Sequence, residues 1–403
     1  MLLLKHKNID FSNIFHYLGT VVLLFGAFFL AAMKEDQSFL PSPPAKIEQE
    51  KSDSVSMITL GFVGDLMCHG PQMKCALQPD GRYDFNPAFD QVRERLSKPD
   101  IMIGNLELTT AGTRKPYASY PAFNTPDAYI DAVKNAGFDF LVTANNHSMD
   151  TGEEGLLRTL DNVRKSGMGS TGTFSSQKDR DSIRILNSNG ISIALLNYTY
   201  GTNGAYPVAG HRYMLNVADS GSVRKDVQRA RELKPDLVVV IYHWGNENIA
   251  DPTAKQDSMF HWAADHGADI VIGAHPHVIG PVQYYKTSAG ASLDSGIVAW
   301  SLGNFISNQY WRYTDAGMIL ELKISKNHTT GRLSLEPPVC TPTWVYRGYD
   351  KSQNQYMVVP AAWCGKDSLP GWMNEESKTR MCEAFSDTRQ MMARRTGKVI
   401  IGE

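Results

Sequence analysis

Residues Val271–Gly280 read VIGAHPHVIG, and this decapeptide decides how the rest of the chain is read. The apolar run Asp269-Ile270-Val271-Ile272-Gly273 has the composition of a strand buried on both faces, and it leads directly into His275 and His277. A strand covered on both faces has no room for polar side chains along its middle. The chemistry of such a sheet therefore collects in the loops at the carboxyl ends of its strands. Alternate residues of an extended segment point the same way, so His275 and His277 are expected to converge on one region, and imidazole suits zinc, manganese, iron or nickel. Read alone, the pair is equally two exposed loop histidines.

Working outward, the same grammar repeats. Met57–Val63 runs into Gly64-Asp65, Asp100–Ile103 into Gly104-Asn105-Leu106-Glu107, and Phe138–Ala144 into Asn145-Asn146-His147. Ile191–Leu196 runs into the loop Asn197–Gly204, Asp236–Tyr242 into His243-Trp244-Gly245, and Ile297–Leu302 into Gly303-Asn304-Phe305. Between them Ala128–Ala136, Asp150–Gly167, Val217–Leu233 and Thr253–His266 carry helical periodicity; the second is bounded by a capping Asp or Thr and a terminal glycine. Strands alternating with helices signal an α/β fold. From Lys323 the pattern weakens into Gly-, Pro- and aromatic-rich segments, with a surface helix expected over Met373–Thr396. The expected division is a principal domain, 57–322, on which the extension 323–403 packs.

The chain has 403 residues, 42% hydrophobic and 20% charged, with a formal net charge of -2, and that balance excludes a nucleic-acid partner. Its amino terminus differs in kind. Phe11–Met33 contains no Asp, Glu, Lys or Arg and is long enough to cross a bilayer as a helix. Lys5 and Lys7 before it place the short head in the cytoplasm, so residues 1–33 read as a single-pass anchor in the cell membrane, with the bulk of the chain extracytoplasmic. The alternative is a cleaved secretory signal ending near Leu30-Ala31-Ala32; either reading exports the body. Residues 34–56, polar and rich in Pro and Ser, read as a linker. Five cysteines fit an oxidising compartment, and one pair among Cys340, Cys364 and Cys382 would staple the tail.

An isolated Asp or Asn after a strand is ordinarily an Asx-turn or a helix cap, and an isolated His243 beside Trp244 is a core histidine bonded to a carbonyl. Their sum reads differently. Asp65, Glu107, Asn146, His243, His275 and His277 all fall on the predicted carboxyl edge of one sheet, and they suffice for one octahedral divalent ion or a closely spaced pair. Tyr198, Tyr200 and Asn203 are candidates for a substrate lip, and Asn304 for the cleft lining.

Six ordered motifs carry a resemblance: GDLM at Gly64–Met67, GNLE at Gly104–Glu107, NNH at Asn145–His147, HWG at His243–Gly245, GAHPHV at Gly273–Val278 and SLGNF at Ser301–Phe305. Over Met57–Leu322 the chain closely resembles the CapA family of bacterial capsule synthesis proteins. The resemblance implies a fold similar to calcineurin-like metallophosphoesterases, a sandwich of mixed β-sheets flanked by helices, with one or two divalent ions of manganese, iron or zinc. It matches Asp65 to the first carboxylate, Asn146 to the turn ligand, His147 to the histidine beside the scissile group, and His243, His275 and His277 to the imidazole ligands. Where that superfamily carries a second His, this chain has Met67, with Cys68 or His69 as substitutes; where it carries a bridging Asp, this chain offers Asn105 and Glu107.

Two functions follow as expectations. One is a metal-dependent hydrolase or transferase of the cell envelope, acting on a phosphate ester or an amide, with Asn146 and His147 at the reacting centre. The other, implied by the family, is a membrane-anchored partner of poly-γ-glutamate synthase components that assists synthesis or export of an anionic polymer, the divalent ion serving as a carboxylate receptor.

Overall fold

The computed structural model describes residues 54–350, 353–366, 368–395 and 399–402, so the expected anchor and nearly all of the linker lie outside the described residues. Two mixed sheets face each other. The first runs in the order Gln353–Pro360, Val339–Asp350, Ala316–Asn327, Val55–Leu66, Ile101–Leu106, Phe140–Val142 and Gly169–Thr171. Its last four strands are mutually parallel, and its first four are mutually antiparallel. The second runs Arg184–Ser188, Ile191–Thr199, Leu237–His243, Ile270–Ala274, Ser295–Ala299 and Val282–Lys286; its middle four are parallel and both edges antiparallel.

The period-2 alternation of the strands builds three apolar layers. Ile58, Leu60, Phe62, Ile101 and Ile103 of the first sheet meet Ile193, Leu195, Val239, Ile241 and Ile272 of the second between the sheets. Met102 and Leu141 face outward under Tyr129 and Val133 of the helix Ala128–Asn135 and Val163 of the helix Gly152–Lys165. Ala194, Val238 and Val240 face the other way, under Val223 and Val227 of Ser220–Glu232 and Met259 and Ala263 of Ala254–Ala264. The result is helix, sheet, sheet, helix.

The weakening expected after Lys323 does not correspond to a loss of strands. Ala316–Asn327 runs through it, burying Leu320, Leu322 and Ile324 while Glu321 and Lys323 sit half-exposed, and Val339–Asp350 extends the same sheet. The helix Glu375–Arg395 is tied to the turn Ala361–Gly365 by a Cys364–Cys382 disulfide; Cys68, Cys75 and Cys340 are free. All these elements belong to one compact unit, Asp53–Glu403. Among the described residues no helix is long and apolar enough to cross a membrane.

Candidate metal centre

Each candidate ligand stands where a parallel strand gives out, and the ligands come from both sheets rather than from one. Asp65, Asn105, Glu107 and Asn146 belong to the first sheet and its loops; His243, His275 and His277 belong to the second. All seven are buried. Gly64 is the extra residue of a bulge, since Val63 pairs with Gly104 and Asp65 with Asn105. A Cβ on Gly64 would lie 1.9 Å from Gly303 O, so only glycine lets the Asp65 backbone approach and donate to that carbonyl at 3.0 Å.

His275 and His277 converge, but not by strand alternation. The strand stops at Ala274, and both histidines take left-handed backbone angles, φ +97° and +59°. Each such residue costs on the order of 1–3 kcal/mol and persists only where its surroundings fix it. Here Trp244 N donates to Ala274 O at 3.0 Å, Asn248 N to Pro276 O at 2.8 Å, and His275 N approaches Asp65 Oδ1 at 3.4 Å.

Two ligand triads overlap, Glu107–His275–His277 and Asp65–Glu107–His243, with the ligand atoms of each within 4.8 Å of one another. Glu107 is common to both, and Oε1 lies 3.5 Å from His243 Nε2 and 3.8 Å from His277 Nε2. His243 Nε2 also lies 2.7 Å from Asn146 Oδ1, and His277 Nδ1 lies 2.9 Å from Asp65 Oδ2. Glu107 Oε1 and His275 Nδ1 are buried without a hydrogen-bond partner, a state that carries the full desolvation cost of each group. A divalent cation coordinated there would satisfy both, so the residues present, with Glu107 common to the two triads, fit a metal centre.

The electrostatics of the side chains alone divide, with two imidazoles ready to ligate while Glu107 and His277 are held toward their protonated forms. Burial, reinforced by the charge of Asp65, pushes the Glu107 carboxyl well above the usual range. Burial would raise Asp65 too, but the hydrogen bond and charge of His277 outweigh it and hold Asp65 low. Burial with the neighbouring imidazoles drives His243 well down and His275 to about 3, so both stay neutral and able to ligate. His277 is raised because its bond to Asp65 outweighs burial.

Other expected residues take different places. Asn105 Nδ2 donates to Asp65 Oδ1 at 2.8 Å and lies 3.2 Å from His243 Nδ1, so its nitrogen braces two ligands, while its Oδ1, like Glu107 Oε1, is buried without a hydrogen-bond partner. Cys68 packs in the apolar layer behind the first sheet, where burial pushes its thiol far up, and His69 precedes the helix Gly70–Ala76 with Asn308 N donating to its Nδ1 at 3.2 Å. Neither belongs to the triads. Strand alternation turns Tyr198 away from the centre, and its hydroxyl donates to Asp226 under the helices at 2.7 Å. Tyr200 is half-buried with its ring 4.7 Å from that of His275. Asn203 accepts from Asn146 Nδ2 at 3.3 Å and stands 3.4 Å from His147 Nδ1. Asn304 Oδ1 lies 3.0 Å from His277 Nδ1 and its Nδ2 donates to Thr314 O, so it orients a ligand instead of lining a cleft.

One residue of the candidate site escaped sequence reasoning. Asp150, read there only as a helix cap, lies 2.7 Å from His147 Nδ1, and the same carboxylate oxygen accepts from Phe123 N at 2.7 Å. The signal was present in NNHSMD, where Asp follows His by three residues. Exposed Glu247 also bears on the centre, its charge raising both Glu107 and His277.

The chain is 29% identical over 321 residues to "Capsule biosynthesis protein CapA" of Bacillus anthracis, covering 78% of this chain and 74% of that one. It is 28% identical over 303 residues to "PGA biosynthesis protein CapA" of Bacillus subtilis (strain 168), covering 74% and 76%. Similar solved structures include the calcineurin-like phosphoesterase YfkN from Bacillus subtilis, with TM-score 0.41, 11% identity and coverage of 84% of this chain and 99% of that one. They also include the NAD nucleotidase of Haemophilus influenzae, with TM-score 0.44, 10% identity and coverage of 87% and 64%. The family model described as bacterial capsule synthesis protein PGA_cap matches residues 59–309, well over half of the chain, and the protein therefore belongs to that family.

Proposed function

We propose that this protein is a membrane-anchored, extracytoplasmic component of poly-γ-glutamate or related anionic polymer synthesis or export, and that its metal centre performs a hydrolytic or transfer step on the polymer. The observation that carries the reading is Glu107, buried, shared by two ligand triads and left with an oxygen that no protein group satisfies. The family supports the polymer as substrate, and the Cys364–Cys382 disulfide supports an oxidising compartment.

When bound, one or two ions of manganese, iron or zinc supply Lewis acidity, lowering the pKa of water and neutralising charge that develops on the scissile group. Asp65, Glu107, Asn146, His243, His275 and His277 hold them. His147 is fixed through Nδ1 by Asp150, which leaves Nε2 to deliver a proton to the departing group. Phe123, fully buried and edge-on to His147 at 4.7 Å, keeps water from that imidazole. A second reading, a phosphoesterase or amidase of the envelope unrelated to polyglutamate, draws on this same buried His147–Asp150 pair, because a proton donor so fixed serves a phosphate ester or an amide as well as the polymer.

The test is hydrolysis of a phosphodiester, a phosphomonoester and a γ-glutamyl anilide by the chain loaded in turn with each of the three metals, beside capsule output in a host carrying His275→Ala with His277→Ala. Cleavage of the γ-glutamyl compound with loss of capsule supports the first reading, and cleavage of phosphate esters with capsule intact supports the second. Metal binding with no cleavage and no capsule defect would overturn both.

A further inference from the structure

Outside the metal centre, the loop following Ser307 raises three aromatic side chains into solvent. Tyr310, Trp311 and Tyr313 are 54%, 61% and 52% exposed. Tyr310 and Trp311 stack with centroids 4.8 Å apart and planes 10° from parallel, and Arg347 lies over the Tyr310 ring at 5.4 Å, so the pair is a rigid aromatic platform. The loop is clasped to the helix Glu375–Arg395 by Arg312, which bonds Asp387 at 2.9 Å, and by Arg380, which donates to Tyr310 O and to Asp315 at 2.8 Å. Contiguous large rings braced in water mark interaction sites, so an exposed platform of this kind calls for an occupant.

Beside the platform opens a cleft of about 480 Å³, within the size class of about 300–1,000 Å³ that holds small ligands. Trp372 stands in its wall, and Arg347, Asn374 and Glu376 contribute planar hydrogen-bonding groups. Charge decides what such a cleft takes. Of the two guanidiniums in its wall, Arg380 already holds Asp315 and Arg347 donates to Asn308 O, and Glu376 adds a negative rim. A polyanion therefore finds two guanidiniums occupied and an acid at the edge. A sugar ring finds what it needs: flat aromatic faces for its C–H surfaces and planar donors and acceptors for its hydroxyls.

We infer that the Tyr310–Trp311 platform and the Trp372 cleft form a binding site for uncharged pyranose rings, a glycan subsite separate from the metal centre. Asn308 divides the two regions, its N–H bonding His69 on the centre's side and its carbonyl accepting from Arg347 at 3.2 Å on the cleft's side. A glycan held here would keep the protein on a polysaccharide surface while the metal centre works on its own substrate.

The test is calorimetric titration of the purified full chain with a β-1,4-linked N-acetylglucosamine tetramer, a β-1,4-linked glucose tetramer and poly-γ-glutamate. Saturable binding of either sugar is expected, weakened at least tenfold by Trp311→Ala and by Trp372→Ala and unchanged by His275→Ala with His277→Ala. Response to the N-acetylated tetramer alone points to amino-sugar strands, and response to the glucose tetramer points to neutral polysaccharide. Because Trp311 is mostly exposed, its variant keeps the fold and isolates binding. No heat with either sugar, equal affinity in the Trp311 variant, or heat with poly-γ-glutamate alone would each overturn the assignment.

Discussion

His147 and Asp150 form a buried pair, imidazole Nδ1 to carboxylate at 2.7 Å, on the loop that leads into the helix Gly152–Lys165. The carboxylate fixes both the orientation of the ring and the nitrogen left to act. Replacing Asp150 with Asn is expected to lower kcat by about 10²-fold, the lower range for a lost proton donor, and His147→Ala by at least as much. Elemental analysis should find metal content unchanged in both, since neither residue belongs to the ligand triads. Loss of metal in Asp150→Asn would move that residue from proton handling to the metal's support.

Glu107 joins both triads, so Glu107→Gln should reduce metal per chain more than Asp65→Asn or His275→Ala, each of which touches one triad. Thermal melts give the second readout. Added manganese or zinc should raise the wild-type Tm, by about 2.7 kcal/mol of stabilisation at a hundredfold excess over Kd, and leave Glu107→Gln unmoved.

The Cys364–Cys382 bridge closes a short loop, with a sequence separation of 18, between the turn Ala361–Gly365 and the helix Glu375–Arg395. Loop-closure entropy gives it about 3 kcal/mol. Replacing both cysteines with Ser should lower stability by about that amount, and faster hydrogen exchange should appear first in this helix. Uniform acceleration across both sheets would mean that the bridge holds more than its own helix.

Asp236 stands before the strand Leu237–His243 and bonds Lys326 of the facing sheet at 2.6 Å, an ion pair between the two layers of the sandwich. Burial would raise its pKa, but Lys326 and Ser192 outweigh that and hold it below the usual carboxylate value. A depressed pKa in the folded state contributes stability above the unfolded pKa, near 4, and that contribution is lost as pH falls through the folded value. Denaturant midpoints of wild type and Asp236→Asn should therefore differ at pH 7 and draw together as the pH is taken well below the ordinary carboxylate value.

Much of this was legible in the sequence. Strands buried on both faces announce themselves as continuous apolar runs, so Met57–Val63, Asp236–Tyr242 and Asp269–Gly273 located the parallel halves of both sheets, and their polar tips located residues that the fold gathers into the two triads. The antiparallel part was harder to see. Ala316–Asn327 alternates only in its second half, and Val339–Asp350 carries Pro342 and Gly348, so neither looks like a continuous apolar run. At the site, spacing identified the histidines without their backbone: nothing local in Ala274–Val278 shows that His275 and His277 adopt left-handed angles, because contacts from Asp65, Trp244 and Asn248 fix the turn. Tyr198 was misplaced for a simpler reason. It sits one residue out of phase with the site-facing positions of its strand.

The division of ligands between the sheets sets an order of events. Asp65 and His275 are 210 residues apart in sequence and meet only after the two layers have docked. A nascent or half-folded chain offers a cation scattered side chains of little affinity, whereas the finished sandwich offers all of them at once. Metal loading of such a centre would thus be a late step, drawing on the ions present where folding is completed.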